Sequence, residues 1–458
     1  MELSEFARFE TTGLRAARVP LAPEDDSDTI GPVALRGAEG ARWAGERAVS
    51  RRTLLSAGAV LGVSALAAAC ASKPSSPVTA APGTGTSPGS TPGLAPIDEA
   101  ALRTSFTQAA KELLTPGALI ILRTPNGNFS AAYGSGTYRG STPVSFADHI
   151  RIGSITKTFT GTVVLQLAQE GKVSLDDPVS KYRAGVPNGG NITIAQLLTM
   201  RSGLFNYTEA LELNQTLDTD PTKVCTQDEL LAVAFKNPSY FPPGEGYHYS
   251  NTNTVLLGLI AEKLEGGPLA EVFTKRLFTP LGMHNTLLPD ITANGVPAPH
   301  PRGYMYGTNV STLESAKLPP DQLAGAQAGT LKPNDVTDEN PSWAWSAGAA
   351  ISTAEDLATW VKALGDGTLL NPAWQKKRLD SVQSTNPSDP AAASYGLGIA
   401  RFGALYGHTG ELPGFQSFTG YDPATQVTLV IWANLSAAPD GRPPAAAIAR
   451  QLIDTIYK

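Results

Sequence analysis

The sequence predicts an α+β fold: one antiparallel sheet built from both ends of the chain, with flanking helices and an inserted, mostly helical subdomain. Three observations carry this. Short apolar runs bounded by turn residues appear near 118–133 and again beyond 395. The span between them, about 175–365, is patterned as helices and long loops. The chain then closes on a helix that can pack back onto the sheet. With 458 residues, 41% of them hydrophobic and 17% charged, there is material for one large domain or two.

In chain order, 97–114 reads as a helix. Ala118–Leu122 and Phe129–Tyr133, separated by Pro125-Asn126-Gly127, read as a β-hairpin. Ile155, Phe159, Val163 and Leu167 recur at helical spacing and Gly171 stops the pattern, so a buried helix begins near Ser154. Thr193-x-x-Gln196 and Ser352-x-x-Glu355 resemble capping boxes, the second opening a helix that ends at Gly365. Asn251–Leu264 carries Leu256, Ile260 and Leu264 on one face, with Gly266-Gly267 as a stop. Residues 285–340 show little periodicity and read as loops. Strands are expected at Tyr395–Phe402, Leu405–Thr409, Gln416–Tyr421 and Val427–Asn434, and a final helix at Pro444–Ile456.

Four segments follow from composition. Residues 1–49 are a mixed leader, which suggests that translation starts near Val49. Residues 50–70 read as a twin-arginine export signal: Arg51-Arg52, then sixteen small and apolar residues from Leu54 to Ala69. That run is shorter than the roughly 20 residues of a membrane span. Ala67-Ala68-Ala69-Cys70 resembles a lipoprotein cleavage site, which would make Cys70 the lipid attachment point and place the protein at the outer face of the membrane. Residues 71–96, rich in Pro, Ser, Thr and Gly, have too little to bury and read as a disordered tether, about 25–30 Å end to end. The folded domain is expected over 97–458.

The net charge of −6, with no basic run interleaved with aromatics, argues against a nucleic-acid partner. Two cysteines and five scattered histidines offer no metal-ligand spacing. No metal or organic cofactor is implied.

Three motifs carry chemistry. In Gly153-Ser154-Ile155-Thr156-Lys157, serine and lysine share a helix face, so the amine can reach the hydroxyl. To accept its proton, the lysine pKa must fall from about 10.4 toward 7–8. Chance alone supplies such a spacing, and a helix cap with a surface lysine explains it equally well. Tyr249-Ser250-Asn251 offers a phenol to relay protons and an amide to hold a carbonyl, or else a core tyrosine and a helix cap. Gly407-His408-Thr409-Gly410 lies on a predicted strand and could bind an anion, or be a turn with an exposed histidine.

Taken in order, these motifs resemble the serine β-lactamase and penicillin-binding-protein superfamily. Leu175-Asp176-Asp177-Pro178, Ser202-Gly203-Leu204, Pro280-Leu281-Gly282-Met283 and Ser346-Ala347-Gly348 extend the resemblance over 97–458. Tyr249-x-Asn251 is similar to class C β-lactamases and the Streptomyces-type D-alanyl-D-alanine carboxypeptidase. His408, where class C enzymes have lysine, is similar to the carboxypeptidase and to family esterases and D-amino-acid peptidases. The resemblance implies a serine acyl-enzyme mechanism. Ser154 would be the nucleophile, with Lys157 and Tyr249 sharing the proton traffic. The backbone N–H groups of Ser154 and Glu411 would form an oxyanion hole. Asn251 would hold the substrate amide, and His408, Thr409 and Gly410 would meet its carboxylate. It implies a peptide or small-molecule substrate: a D-amino-acid peptide, an ester or a β-lactam. A tryptophan, Trp343 or Trp345, is expected near the pocket. A peptidase on cell-wall peptides, an esterase or weak β-lactamase, and a non-catalytic penicillin sensor all remain open.

Overall fold

The computed structural model describes residues 93–389 and 392–457. The leader, the signal with Cys70 and nearly all of the predicted tether lie outside them. The last tether residues are ordered: Leu94 bridges to Tyr457, and the Ala95 N–H donates to the Ile456 carbonyl.

The chain begins with helix α1 (Glu99–Glu112) and the hairpin β1 (Gly117–Thr124) and β2 (Gly127–Gly134). Helices α2 (Thr156–Gln169), α3 (Asn251–Glu265) and α4 (Ala354–Asp366) follow. The remaining strands are β3 (Gln383–Ser384), β4 (Ser394–Tyr395), β5 (Ala400–Phe402), β6 (Leu405–Leu412), β7 (Phe415–Asp422) and β8 (Val427–Ala433). Helix α5 (Pro444–Ile456) ends the chain.

These strands form one sheet in the order β2-β1-β8-β7-β6-β5-β4-β3. All its pairings are antiparallel. The N-terminal hairpin thus lies beside the last strand, with Leu119 opposite Trp432. Alternation along β1 explains why. Ile120 and Leu122 pack with Phe106, Ile448 and Leu452 of the terminal helices, whereas Leu119 and Ile121 pack with the helical body on the other face. With both faces covered, β8 is buried along its whole length and is apolar but for Thr428.

Helix α2 is buried on every side from Thr156 to Ala168. The apolar stripe Ile155, Phe159, Val163 and Leu167 fills one side. Threonines fill the rest and satisfy their hydroxyls internally: Thr158 donates to the Ile155 carbonyl and Thr160 to that of Ser346. Helix α3 packs along α2. The Arg276 guanidinium clamps their C-terminal ends, reaching Glu170 and Glu265 at 2.7 Å each. Its hydrogen bonds hold both carboxyls down at about 2.

Three local expectations are corrected. The cap of α4 is Thr353, whose side chain accepts from the Asp356 N–H, and not Ser352. Ser352 instead pairs with Ile150 in a short strand. The predicted strand Tyr395–Phe402 is split, because Gly398 takes φ +64° where α2 presses against it. A Cβ there would lie 2.9 Å from Gly161 Cα. The segment 285–340 contains two helices, Asn309–Glu314 and Pro320–Ala328. The second buries only Ala326, so it left no apolar stripe to read.

Candidate active site

Gly153 opens a single 3₁₀ turn, Gly153–Ile155, which leads into α2. It holds φ +53°, and a Cβ at that position would lie 2.3 Å from the Glu411 backbone nitrogen. Only glycine lets the Ser154 turn lie this close to β6. Lys157 follows one helical turn later and is 2% exposed. Its Nζ donates to Ser154 Oγ at 2.8 Å and to the Ala347 carbonyl at 2.7 Å. It also stands 4.7 Å from the centroid of the Tyr249 ring. A hydroxyl and a buried amine at this distance can exchange a proton.

Tyr249 and Asn251 enter where the chain turns into α3, and both line the same cleft as Ser154 and Glu411. The Asn251 N–H donates to Asn206 Oδ1, and its amide Nδ2 to Thr208 Oγ1, each at 3.0 Å. The first bond holds its backbone and the second its side chain at the mouth of the helix. The cleft has a volume of about 230 Å³. Trp343 lines it, while Trp345 is buried behind, against Gly258.

His408 sits in the interior of β6 and has no exposed surface. Its Nδ1 lies 2.5 Å from the Thr409 carbonyl. A carbonyl only accepts, so Nδ1 carries the proton and Nε2 is left as an acceptor, 3.4 Å from the Tyr395 hydroxyl. Burial, and then the charge of Lys157, pull the imidazole pKa down to about 3 against the opposing backbone bond. The ring is therefore neutral at physiological pH and packs beside Tyr249, with centroids 6.1 Å apart. His408 is thus a neutral, buried group packed against Tyr249 and Tyr395. Thr409 is also buried, and like His408 it does not line the cleft. Gly410 is a close-crossing glycine: a Cβ there would meet the Ile152 carbonyl at 1.9 Å.

Several cleft residues carried no sequence signal. Glu209 lines the wall and accepts from the Tyr240 hydroxyl at 2.7 Å and Asn206 Nδ2 at 3.1 Å. His248 Nε2 lies 3.1 Å from the same carboxylate. Tyr240 stacks between His248 (3.6 Å) and Phe205 (5.5 Å). Among the described residues, Glu209 and Glu411 are the charged residues of the cleft lining, and Lys157 stands behind Ser154.

The sheet, the buried α2 and the serine–lysine turn define a hydrolase scaffold of the serine β-lactamase and penicillin-binding-protein superfamily. The chain belongs to the beta-lactamase family, whose model matches residues 103–453. It is similar to a D-stereospecific amidohydrolase from Streptomyces sp., at 30% identity over 79% of this chain and 98% of that one, with a TM-score of 0.66. It is similar to the D-amino acid amidase of Ochrobactrum anthropi SV3, at 25% identity over 77% and 96%, with a TM-score of 0.63. Protein flp of Staphylococcus aureus matches at 29% identity over 70% of this chain. The chain spans about 60% of the length of that curated relative.

Proposed function

We propose that the protein is an amide hydrolase acting through a Ser154 acyl-enzyme on amides or short peptides of D-amino acids. The observation that carries this is the 2.8 Å contact between Ser154 Oγ and Lys157 Nζ at the edge of a cleft that Asn251 and Glu411 share. In the first step Ser154 Oγ attacks the carbonyl carbon and its proton passes to the Lys157–Tyr249 pair. The oxyanion rests against the N–H groups of Ser154 and Glu411. Collapse expels the amine, which takes up the proton. Water then repeats the sequence and releases the acid.

The acidic lining favours a free ammonium group on the acyl portion, held by Glu209, over an anionic substrate. The D-specific relatives support the stereochemistry. Release of ammonia from D-alaninamide, lost in Ser154→Ala, tests the reading; no release by the wild-type protein refutes it. Glu209→Gln should raise KM for the free amide while leaving N-acetylated D-alaninamide unaffected.

A second reading, a D-Ala-D-Ala carboxypeptidase on cell-wall peptides, is favoured by the likeness to penicillin-binding protein 4* of Bacillus subtilis, at 25% identity over 282 residues. It predicts D-alanine release from a D-Ala-D-Ala peptide. The export address belongs to both readings. It is tested by cell fractionation of wild type and Cys70→Ser; a cytoplasmic wild type overturns it, and an anchored Cys70→Ser variant excludes lipidation at Cys70.

A further inference from the structure

Four polar side chains of the cleft, Asn206, Thr208, Glu209 and Asn251, are linked through one buried amide. That amide is Asn206, which stands just before the turn Tyr207–Glu209 and is 6% exposed. Its Oδ1 accepts the Thr208 hydroxyl at 3.0 Å. It also accepts the Asn251 N–H at 3.0 Å, a first-turn donor of α3 that the Ser250 side chain leaves uncapped. Its Nδ2 donates to Glu209 Oε1 at 3.1 Å.

Donor and acceptor rules give this chain of bonds a single orientation. A backbone N–H only donates and a carboxylate only accepts, so both ends independently assign Asn206 Oδ1 to Asn251 and Nδ2 to Glu209. An amide oxygen only accepts, so the one proton of Thr208 Oγ1 goes to Asn206 Oδ1. Thr208 Oγ1 is then left as an acceptor, 3.0 Å from the Asn251 side chain, and the atom it meets is Nδ2. The Asn251 amide is thereby turned with Nδ2 toward Thr208 and Oδ1 away from it. Asn251 is half-buried and lines the cleft, and among the described residues nothing donates to that oxygen.

An amino-acid amide carries an N–H on its α-nitrogen whether that nitrogen is free or acylated, but only the free amine carries charge. A carboxylate answers the charge, and an amide oxygen answers the N–H in both cases. Resting on the D-amino-acid amide reading above, we propose that Asn206 is the positioning residue of substrate recognition. It aligns Glu209 for a free α-ammonium and, through Thr208, presents Asn251 Oδ1 to an N–H on the α-nitrogen.

The test uses D-alaninamide and N-acetyl-D-alaninamide, with the corresponding D-alanine methyl esters as a second pair. Thr208→Val removes the hydroxyl and keeps the shape. It should lower kcat/KM about tenfold on both members of a pair and leave their ratio within about twofold. Asn206→Ala should lower both as far and also cut the free-over-acetylated ratio about tenfold, through KM. Combined with Glu209→Gln, the loss in that ratio should fall short of the product of the two single losses by about threefold or more, because both changes act on one group. General damage to the fold would instead lower both substrates alike and multiply with Glu209→Gln.

A ratio unchanged in Asn206→Ala, losses that multiply in the double variant, or an unchanged kcat/KM in Thr208→Val overturns the proposal. If Asn206→Ala does not fold, Thr208→Val alone decides it. If the esters turn over and the amides do not, the amide reading fails while the ester ratios still decide the role of Asn206. If neither pair turns over, both fail together.

Discussion

Replacing His408 with glutamine isolates the titration of one buried imidazole. An unfolded histidine titrates near 6.5, and burial together with Lys157 brings the folded one to about 3. At pH 7.5 both states are neutral and the ring adds nothing to the pH dependence. As the pH falls through 6.5, the unfolded chain binds a proton that the native state refuses until about 3. Stability therefore drops by about 1.4 kcal/mol per pH unit within that window. At pH 4.5, two units below the unfolded value, the wild-type protein should have lost about 3 kcal/mol from this source. Glutamine keeps a donor for the Thr409 carbonyl and does not titrate. Urea unfolding at pH 7.5 and 4.5 reads the difference directly. His408→Gln should be less acid-sensitive than wild type by about 3 kcal/mol. Equal slopes for the two proteins would show that the imidazole is solvated or charged in the native state. The contrast between a neutral histidine and a carboxylate-binding one would then collapse.

Two further perturbations probe the frame around the site. Gly153→Ala forces a Cβ to within 2.3 Å of the Glu411 nitrogen at φ +53°; the strain costs about 1–2 kcal/mol, and displacing an oxyanion donor lowers kcat by roughly 10²–10³. An alanine variant with unchanged kcat would separate Glu411 from the oxyanion. Arg276→Met takes the guanidinium from Glu265, which keeps Lys172 at 3.0 Å, and should cost about 1.5 kcal/mol; the more exposed Glu170 adds little. Because both carboxyls are held at about 2, that stability is present above about pH 4.3 and lost as the pH falls toward 2. Thermal melts of the two proteins should therefore differ at pH 7 and converge near pH 2.

Much of the fold was legible because its signals are local. Pro444 at the start of α5 and Gly266 at the end of α3 mark boundaries that the structure keeps. The sheet was readable as two clusters of strands, since β1 and β8 are apolar on both faces. The cap of α4 was missed by one residue because Ser352 and Thr353 are both hydroxyls with an acid three positions on. Only the pairing of Ser352 with Ile150 assigns the cap to Thr353. The state of His408 was not legible, because its burial comes from Tyr249 and Tyr395, more than a hundred residues away and thirteen residues away. Glu209 was silent for a similar reason. Its role rests on Tyr240 and His248, which arrive from another loop.

In the proposed mechanism Ser154 is the nucleophile and Lys157 activates it. A small fluorophosphonate, which reports an activated serine, tests this by intact mass and peptide mapping of the full chain. One phosphonyl group per molecule is expected on the peptide containing Ser154, absent in Ser154→Ala and added at least a hundredfold more slowly in Lys157→Met. Labelling at another serine, or labelling that persists in Ser154→Ala, would contradict it.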